Sequence, residues 1–314
     1  MSIALICPGQ GSQFVGMGKS LAEAFAPARA VFEQVDDALG QHLTQIMWDG
    51  PAETLTLTAN AQPALMVVSV AVVAVLKAEA GLDVARDVAF VAGHSLGEYS
   101  ALTCAGSFAV GDAARLLRIR GEAMQAAGPA GAGAMAALIG VDLETARSIA
   151  TDAAQGEVCE AANDNGGGQV VLSGAKSAVD RAIAIATERG VRRAVLLPVS
   201  APFHCSLMQS AADTMRVALS AMPPATPSVP VMANVGAAPL TDPAQITASL
   251  IAQVTGTVRW RECVEAMVAG GVTTFYEVGA GKVLAGLVKR IAPTVTVTSI
   301  QTPDDIVAFA AARR

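Results

Sequence analysis

Val88-Ala89-Phe90-Val91-Ala92-Gly93-His94-Ser95-Leu96-Gly97-Glu98-Tyr99 is the stretch on which the fold turns. An apolar run, Val88 to Ala92, enters Gly93-His94-Ser95-Leu96-Gly97, and a helix-like segment follows. This is G-x-S-x-G in its diagnostic setting of strand, sharp turn and helix. The turn is too tight for side chains at its flanks, so glycines stand there. Ser95 is held at the apex with its hydroxyl exposed. The Leu96 N–H then points toward any oxyanion formed at Ser95, helped by the helix N-terminus.

The 314 residues suffice for one large domain or two modest ones. At 53% hydrophobic and 15% charged, the chain supports a large buried core and excludes disorder. Five cysteines are scattered with no C-x-x-C spacing, so neither a zinc site nor a disulfide framework is expected. Reduced thiols in the cytoplasm are the default. The N-terminus has no basic region ahead of the short apolar stretch Ile3–Cys7, which excludes a signal peptide. The longest apolar run, Ala64 to Leu76, is too short to span a bilayer and reads as a buried helix, with Pro63 in its first turn and Gly81 at its exit. A net charge of −6 without a basic tract argues against nucleic acid as a partner.

Ile3 to Cys7 reads as a first buried strand. It leads into Pro8-Gly9-Gln10-Gly11-Ser12-Gln13, a Gly-rich turn. A dinucleotide loop would need glycine where Phe14 stands. A P-loop ending in Gly18-Lys19-Ser20 would need glycine at Gln13. Helices are expected near 17–38, 60–80, 97–106 and 111–126, and Gly128 to Gly133 reads as a hinge. Beyond it the pattern predicts strands at 134–139, 157–162, 169–173 and 193–197. Helices at 143–154 and 176–189 fall between them, with a tight turn at Asn163–Gly168. That order, βαββαβ, is the split ferredoxin-like unit. It divides the chain into a large α/β subdomain from residues 1–127 and 200–314 and an inserted small subdomain at 128–199. The large part resumes with strands at 229–234, 273–277 and 294–300 and helices near 243–254, 258–269 and 282–291.

A serine hydroxyl needs a base. Of the three histidines, His94 neighbours Ser95 on the turn and points away, toward packing or hydrogen bonding beneath it. His42 lies in an ordinary helix-exit stretch. His204, in Pro202-Phe203-His204-Cys205, falls where the chain re-enters the large subdomain, beside the cleft between the two parts. Elimination leaves His204 as the base. No acid follows from a motif: Asp213 and Asp242 lie downstream without one. A Ser–His dyad, its histidine oriented by a carbonyl or an amide, stays open. Arg115, Arg118 and Arg120 share one helix, and the sequence by itself does not choose an anion-binding arginine among them.

Seven segments occur together: Pro8–Gln13, Gly93–Tyr99, Arg120-Gly121, Gly133–Ala137, Gly168–Val171, Pro202–Cys205 and Glu277–Lys282. In this order they resemble the bacterial malonyl-CoA:acyl carrier protein transacylases of fatty acid synthesis, over almost the whole chain. The resemblance implies an α/β-hydrolase-like large subdomain with the ferredoxin-like insert. It implies that Ser95 is acylated with His204 as base, and that the N–H groups of Leu96 and Gln10 form the oxyanion hole. It further implies that Arg120 grips the malonyl carboxylate and that Gln253 fixes His204 through its main-chain carbonyl. A guanidinium meets a carboxylate through two parallel hydrogen bonds, which lysine does not offer. Phe203 resembles the residue of malonyl-selective relatives, where a bulky ring crowds an α-substituent. There are two departures from the pattern, Ala280 in place of proline and the Gly166-Gly167 pair in the insert turn.

The expected reaction is ping-pong transfer of malonyl from malonyl-CoA to the phosphopantetheine thiol of acyl carrier protein, by a monomer, with no metal or other cofactor and no membrane. Lys176, Arg192, Arg193, Lys282, Lys289 and Arg290 are candidates for contact with an acidic carrier. The rival readings are a serine hydrolase or thioesterase on the same elbow, and an acyltransferase of polyketide synthesis or malonate decarboxylation.

Overall fold

The computed structural model of the chain describes residues 2–129, 131–199 and 201–313. Ala130 of the expected hinge and Ser200 of the segment before His204 lie outside the described residues. The described strands are β1 (Ile3–Cys7), β2 (Phe90–Gly93), β3 (Gly133–Ile139), β4 (Cys159–Asp164), β5 (Gln169–Ala175), β6 (Arg193–Leu196), β7 (Val231–Met232), β8 (Pro239–Leu240), β9 (Thr274–Val278) and β10 (Thr296–Ile300). They form a large sheet, ordered β10-β9-β1-β2-β7-β8, and a small one, ordered β4-β5-β3-β6. From β10 to β7 every neighbour is parallel, and β8 alone runs antiparallel at the edge. Parallel strands are covered on both faces, which is why Ala4, Leu5, Ile6 and Cys7 read as an unbroken apolar run and are all fully buried. The small sheet is antiparallel throughout, with helices Leu143–Ala154 and Lys176–Glu188 on one face, as the βαββαβ reading expects.

The two sheets share a core. Ala134, Ala136 and Leu138 of β3 face the small subdomain's own helices, while Met135 and Ala137 face the main core, with Ala162 and Val171 beside them. This alternation is the period of a strand covered on both sides. A parallel bridge joins Asn163 to Val258 of the large part. The Asp164 N–H donates to Val258 O at 2.9 Å, and the Val258 N–H donates to Ala162 O at 2.8 Å.

That bridge corrects one expectation. Asn163 and Asp164, read as turn residues, close β4, because Val258 supplies backbone partners the sequence does not reveal. Other boundaries shift by a residue or two, and three of the differences bear on the packing. The helix expected at 17–38 is two helices, Lys19–Ala24 and Ala26–Leu39. Phe25 between them is extended, since Pro27 offers no N–H to Glu23. The strand expected at 229–234 narrows to the two residues of β7. The apolar helix starts at Thr58, so Pro63 lies inside it rather than in its first turn. That helix, Thr58–Ala80, is long and apolar enough to cross a membrane, yet the core encloses it on all sides.

One approach between helices positions the site. Gly121, in helix Val110–Ala126, faces the first turn of helix Thr58–Ala80. A Cβ there would stand 2.6 Å from both Ala59 Cα and Thr58 O. We expect Gly121→Ala to force the helices apart and cost about 1–3 kcal/mol in a denaturant titration. Wild-type stability would show that the contact yields freely.

Candidate active site

The elbow is built by overlap avoidance. A Cβ on Gly93 would collide with Gly97 O, and one on Gly97 would collide with Cys7 O. A Cβ on Gly9 would stand 2.7 Å from His94 O. The loop after β1 and the turn after β2 are therefore pressed together, backbone to backbone. Ser95, between strand β2 and helix Gly97–Cys104, is held at φ 54°, a left-handed conformation costly for a residue with a Cβ. His204 has φ 59°.

Ser95 Oγ lies 2.8 Å from His204 Nε2. His204 Nδ1 lies 2.8 Å from the main-chain carbonyl of Gln253. A carbonyl only accepts, so Nδ1 carries the proton and Nε2 is free to accept from Ser95. The third member is thus a backbone oxygen. Asp213 pairs with Arg216 at 2.7 Å on the surface, and Asp242 caps helix Pro243–Thr255. Burial, and then the Arg120 charge, push the His204 imidazole down to about 3, which keeps it a neutral base at physiological pH. Neither the Leu96 nor the Gln10 N–H donates to another described residue.

Arg120 is fully buried. Its Nη1 donates to Gln62 Oε1 at 2.8 Å, and its Nη2 donates to Gln253 Oε1 at 2.8 Å and to Ser95 Oγ at 3.1 Å. The guanidinium stands 5.7 Å over the Tyr99 ring. No carboxylate lies within ion-pair distance of it among the described residues. The nearest connection runs through the Gln253 amide, whose Nε2 donates to Glu98 Oε2 at 2.8 Å. Burial lowers Arg120's hold on its proton and raises the Glu98 carboxyl to about 7. A buried cation with only neutral partners is costly and holds an anion strongly. Its sister arginines are occupied elsewhere. Arg115 pairs with Asp112 at 2.6 Å, and Arg118 donates to Asn60 and Gln41 rather than facing solvent or an acid.

These groups line one cavity of about 280 Å³, walled also by Met124, Met135, Leu197 and Phe203. Ser95, His204, Arg120, Gln10 and Phe203 all border it, while Gln253 stands behind His204 and Arg120. A wider groove at Arg147, Asp164 and Arg261 contains none of them. His94 also borders the cavity, but its Nε2 lies 2.9 Å from Asn165 Oδ1 and its ring packs against Trp260, so it serves hydrogen bonding and packing. His42 is exposed. Of the proposed carrier contacts, Lys176 is paired with Asp180 and Arg290 donates to Gln169, while Arg192, Arg193, Lys282 and Lys289 are exposed.

Sequence reasoning missed Gln62, Glu98, Asn165 and Asn234. Asn234 Oδ1 accepts the Ser95 N–H at 2.7 Å. Glu98 carried a signal, an acid in the first turn after the elbow. Asn234 carried only its place as the last residue of an expected strand, near where sites in parallel sheets gather.

Residues 4–299 match the acyl transferase domain family. The chain is similar to a "Malonyl CoA-acyl carrier protein transacylase" of Bacillus subtilis, 44% identical over 97% of this chain and 95% of that one. A solved acyl-carrier-protein-S-malonyltransferase from Bartonella henselae superposes with TM-score 0.97 at 53% identity, covering 100% and 99% of the two chains. A malonyl-transacylase solved in complex with a type II PKS acyl-carrier protein superposes with TM-score 0.95 at 39% identity, covering 99% and 100%.

With His204 held down to about 3 against its ordinary 6.5, the free base persists as pH falls. The sign follows from linkage: the unfolded histidine binds its proton first, so acid weakens the fold before it protonates the base. Inactivation at Ser95 by a neutral fluorophosphonate is expected to hold its rate down to about pH 5. A midpoint near 6.5 would mean that His204 titrates as an ordinary imidazole.

Proposed function

The chain belongs to the acyl transferase domain family of malonyl CoA–acyl carrier protein transacylases, and from that premise we propose how its residues move the malonyl group. Malonyl-CoA enters with its free carboxylate toward Arg120. The two ends of the guanidinium exchange part of their amide and hydroxyl contacts for two parallel bonds to the carboxylate. Ser95 Oγ passes its proton to His204 Nε2 and attacks the thioester carbonyl. The oxyanion takes the unspent N–H groups of Leu96 and Gln10. Collapse breaks the C–S bond, and the departing thiolate takes the proton from His204. A malonyl-Ser95 ester and free CoA remain. The carrier's phosphopantetheine thiol then gives its proton to His204, attacks the ester, and releases Ser95 with that proton. Every proton and electron pair is accounted for within the chain and its two substrates, so this cycle calls for no metal or redox cofactor.

The observation that carries this reading is Arg120, a fully buried cation bonded to the nucleophile's own oxygen at 3.1 Å and lacking a carboxylate partner. A plain serine hydrolase has no use for a charge whose burial costs stability. Holding the acyl group by its far end also keeps the ester carbonyl in one place, presented to the carrier thiol rather than to a wandering water. Phe203, buried in the cavity wall, supports selection of malonyl over α-branched units. The acceptor we propose is the acyl carrier protein of fatty acid synthesis. The working unit we propose is a monomer, as the family resemblance implies.

We propose Arg192 and Arg193 as carrier contacts: both are exposed at the start of β6, whose other end leads into Leu197–Val199 of the cavity wall. Reversing both to glutamate is expected to raise KM for the carrier about threefold to tenfold in low salt, leaving KM for malonyl-CoA unchanged. Flat carrier kinetics would place the contact elsewhere.

Intact-protein mass spectrometry tests the cycle. Malonyl-CoA should add one malonyl group to the wild type and none to Ser95→Ala, and holo carrier should remove it onto its own thiol. Arg120→Ala should lower kcat/KM for malonyl-CoA by about 30-fold or more while sparing acetyl-CoA. An adduct lost to water at the same rate with and without carrier would turn the reading to a hydrolase.

A further inference from the structure

Asn234 takes no part in the cycle above, yet it hydrogen-bonds the nucleophilic residue at 2.7 Å, no longer than the 2.8 Å contact with His204. It lies just beyond β7 and is fully buried. Its Oδ1 accepts the Ser95 N–H at 2.7 Å, and its Nδ2 donates to Gly93 O at 2.8 Å. One planar side chain therefore spans the elbow, tying the peptide before His94 to the peptide after it. Its orientation has no alternative, since Ser95 N–H can only donate and Gly93 O can only accept. The Asn234 backbone is fixed on both sides as well. Its N–H donates to Glu98 Oε2 at 3.0 Å, and its carbonyl accepts from Arg259 N–H at 3.0 Å. Glu98 Oε2 also accepts from Gln253 Nε2, which reaches Ser95 O at 3.0 Å. Ser95 is thus gripped by an amide at its N–H and by another at its carbonyl, both anchored on one carboxylate oxygen.

We propose that Asn234 is a positioning residue for the acyl-transfer reaction, clamping the Gly93 and Ser95 peptides so that the left-handed Ser95 keeps its Oγ aimed at His204 Nε2. The proposal rests on the reading of Ser95 as the nucleophile. It has a second consequence. By taking the Ser95 N–H, the Asn234 oxygen removes that donor from the oxyanion's neighbourhood and leaves Leu96 as the elbow's free N–H, so the oxyanion is bound in one place. A neutral amide suits the position, since a carboxylate there would face Gly93 O and stand beside Glu98.

The test compares Asn234→Ala and Asn234→Asp with the wild type in the full chain, with Val72→Ala as a control for lost stability far from the site. Asn234→Ala should lower kcat for malonyl transfer about 100-fold while malonyl-CoA KM moves less than twofold. Fluorophosphonate inactivation of Ser95 should fall by the same factor. Asn234→Asp keeps the acceptor for Ser95 but sets a carboxylate against Gly93 O, so its kcat should also fall, by about tenfold or more, which decides the matter if the alanine variant does not fold. Val72→Ala, with a comparable drop in Tm, should keep wild-type kcat. Wild-type kcat in the folded Asn234 variants, or a change in KM alone, overturns the proposal. A wild type that forms no malonyl-Ser95 ester overturns the nucleophile reading instead, so the two failures are told apart.

Discussion

The site depends on one steric constraint: the backbone after β2 must touch the backbone after β1. Gly97 lies against the carbonyls of Cys7 and Pro8, and Gly93 against Gly97 itself. No side chain fits at either place. This contact holds Ser95 between β2 and the helix that follows in a left-handed conformation, with the loop that carries Gln10 packed beside it. The strain at Ser95 persists because its surroundings over-determine it, through Asn234 on its N–H and Gln253 on its carbonyl.

Gln253 joins the electrostatic parts. Its main chain orients His204, its side-chain oxygen accepts from Arg120, and its side-chain nitrogen donates to Glu98 and Ser95. The imidazole is kept neutral by its own burial and by the guanidinium nearby. A charged acid as the third member would raise the histidine's proton affinity; a carbonyl holds the tautomer with less effect. The protein therefore keeps a positive charge and a neutral base side by side in one cavity.

The small sheet completes the cavity by resting one face in the main core. Met135 and Leu197 form its wall there, and the Asn163–Val258 bridge and the His94–Asn165 contact hold the two parts in register. Gly166 lies against Ile291 and Gly167 against Arg290, where a Cβ on Gly167 would stand 2.9 Å from Arg290 Cβ. That close seat gives a physical reason for the glycines that depart from the family pattern.

The sequence by itself determined the elements whose signals are local. Periodicity showed the βαββαβ insert, and glycine spacing showed the elbow and marked Ser95. Scarcity of histidine left His204. Motif order identified the family and singled out Arg120 from its neighbours Arg115 and Arg118. What only the tertiary structure decided are the contacts between residues far apart in the chain. Gln62, Glu98, Asn234 and the side chain of Gln253, whose main-chain role alone the resemblance implied, meet Ser95 and Arg120 across as many as 158 positions of sequence. Buried amides have no periodicity and no spacing rule, so nothing local distinguishes Asn234 from any other asparagine after a strand. The same holds for Asn163 and Asp164, strand residues because Val258 lies beside them. Local sterics are written in adjacent residues, whereas hydrogen-bond partners in a buried network are chosen by the packing of whole sheets and helices.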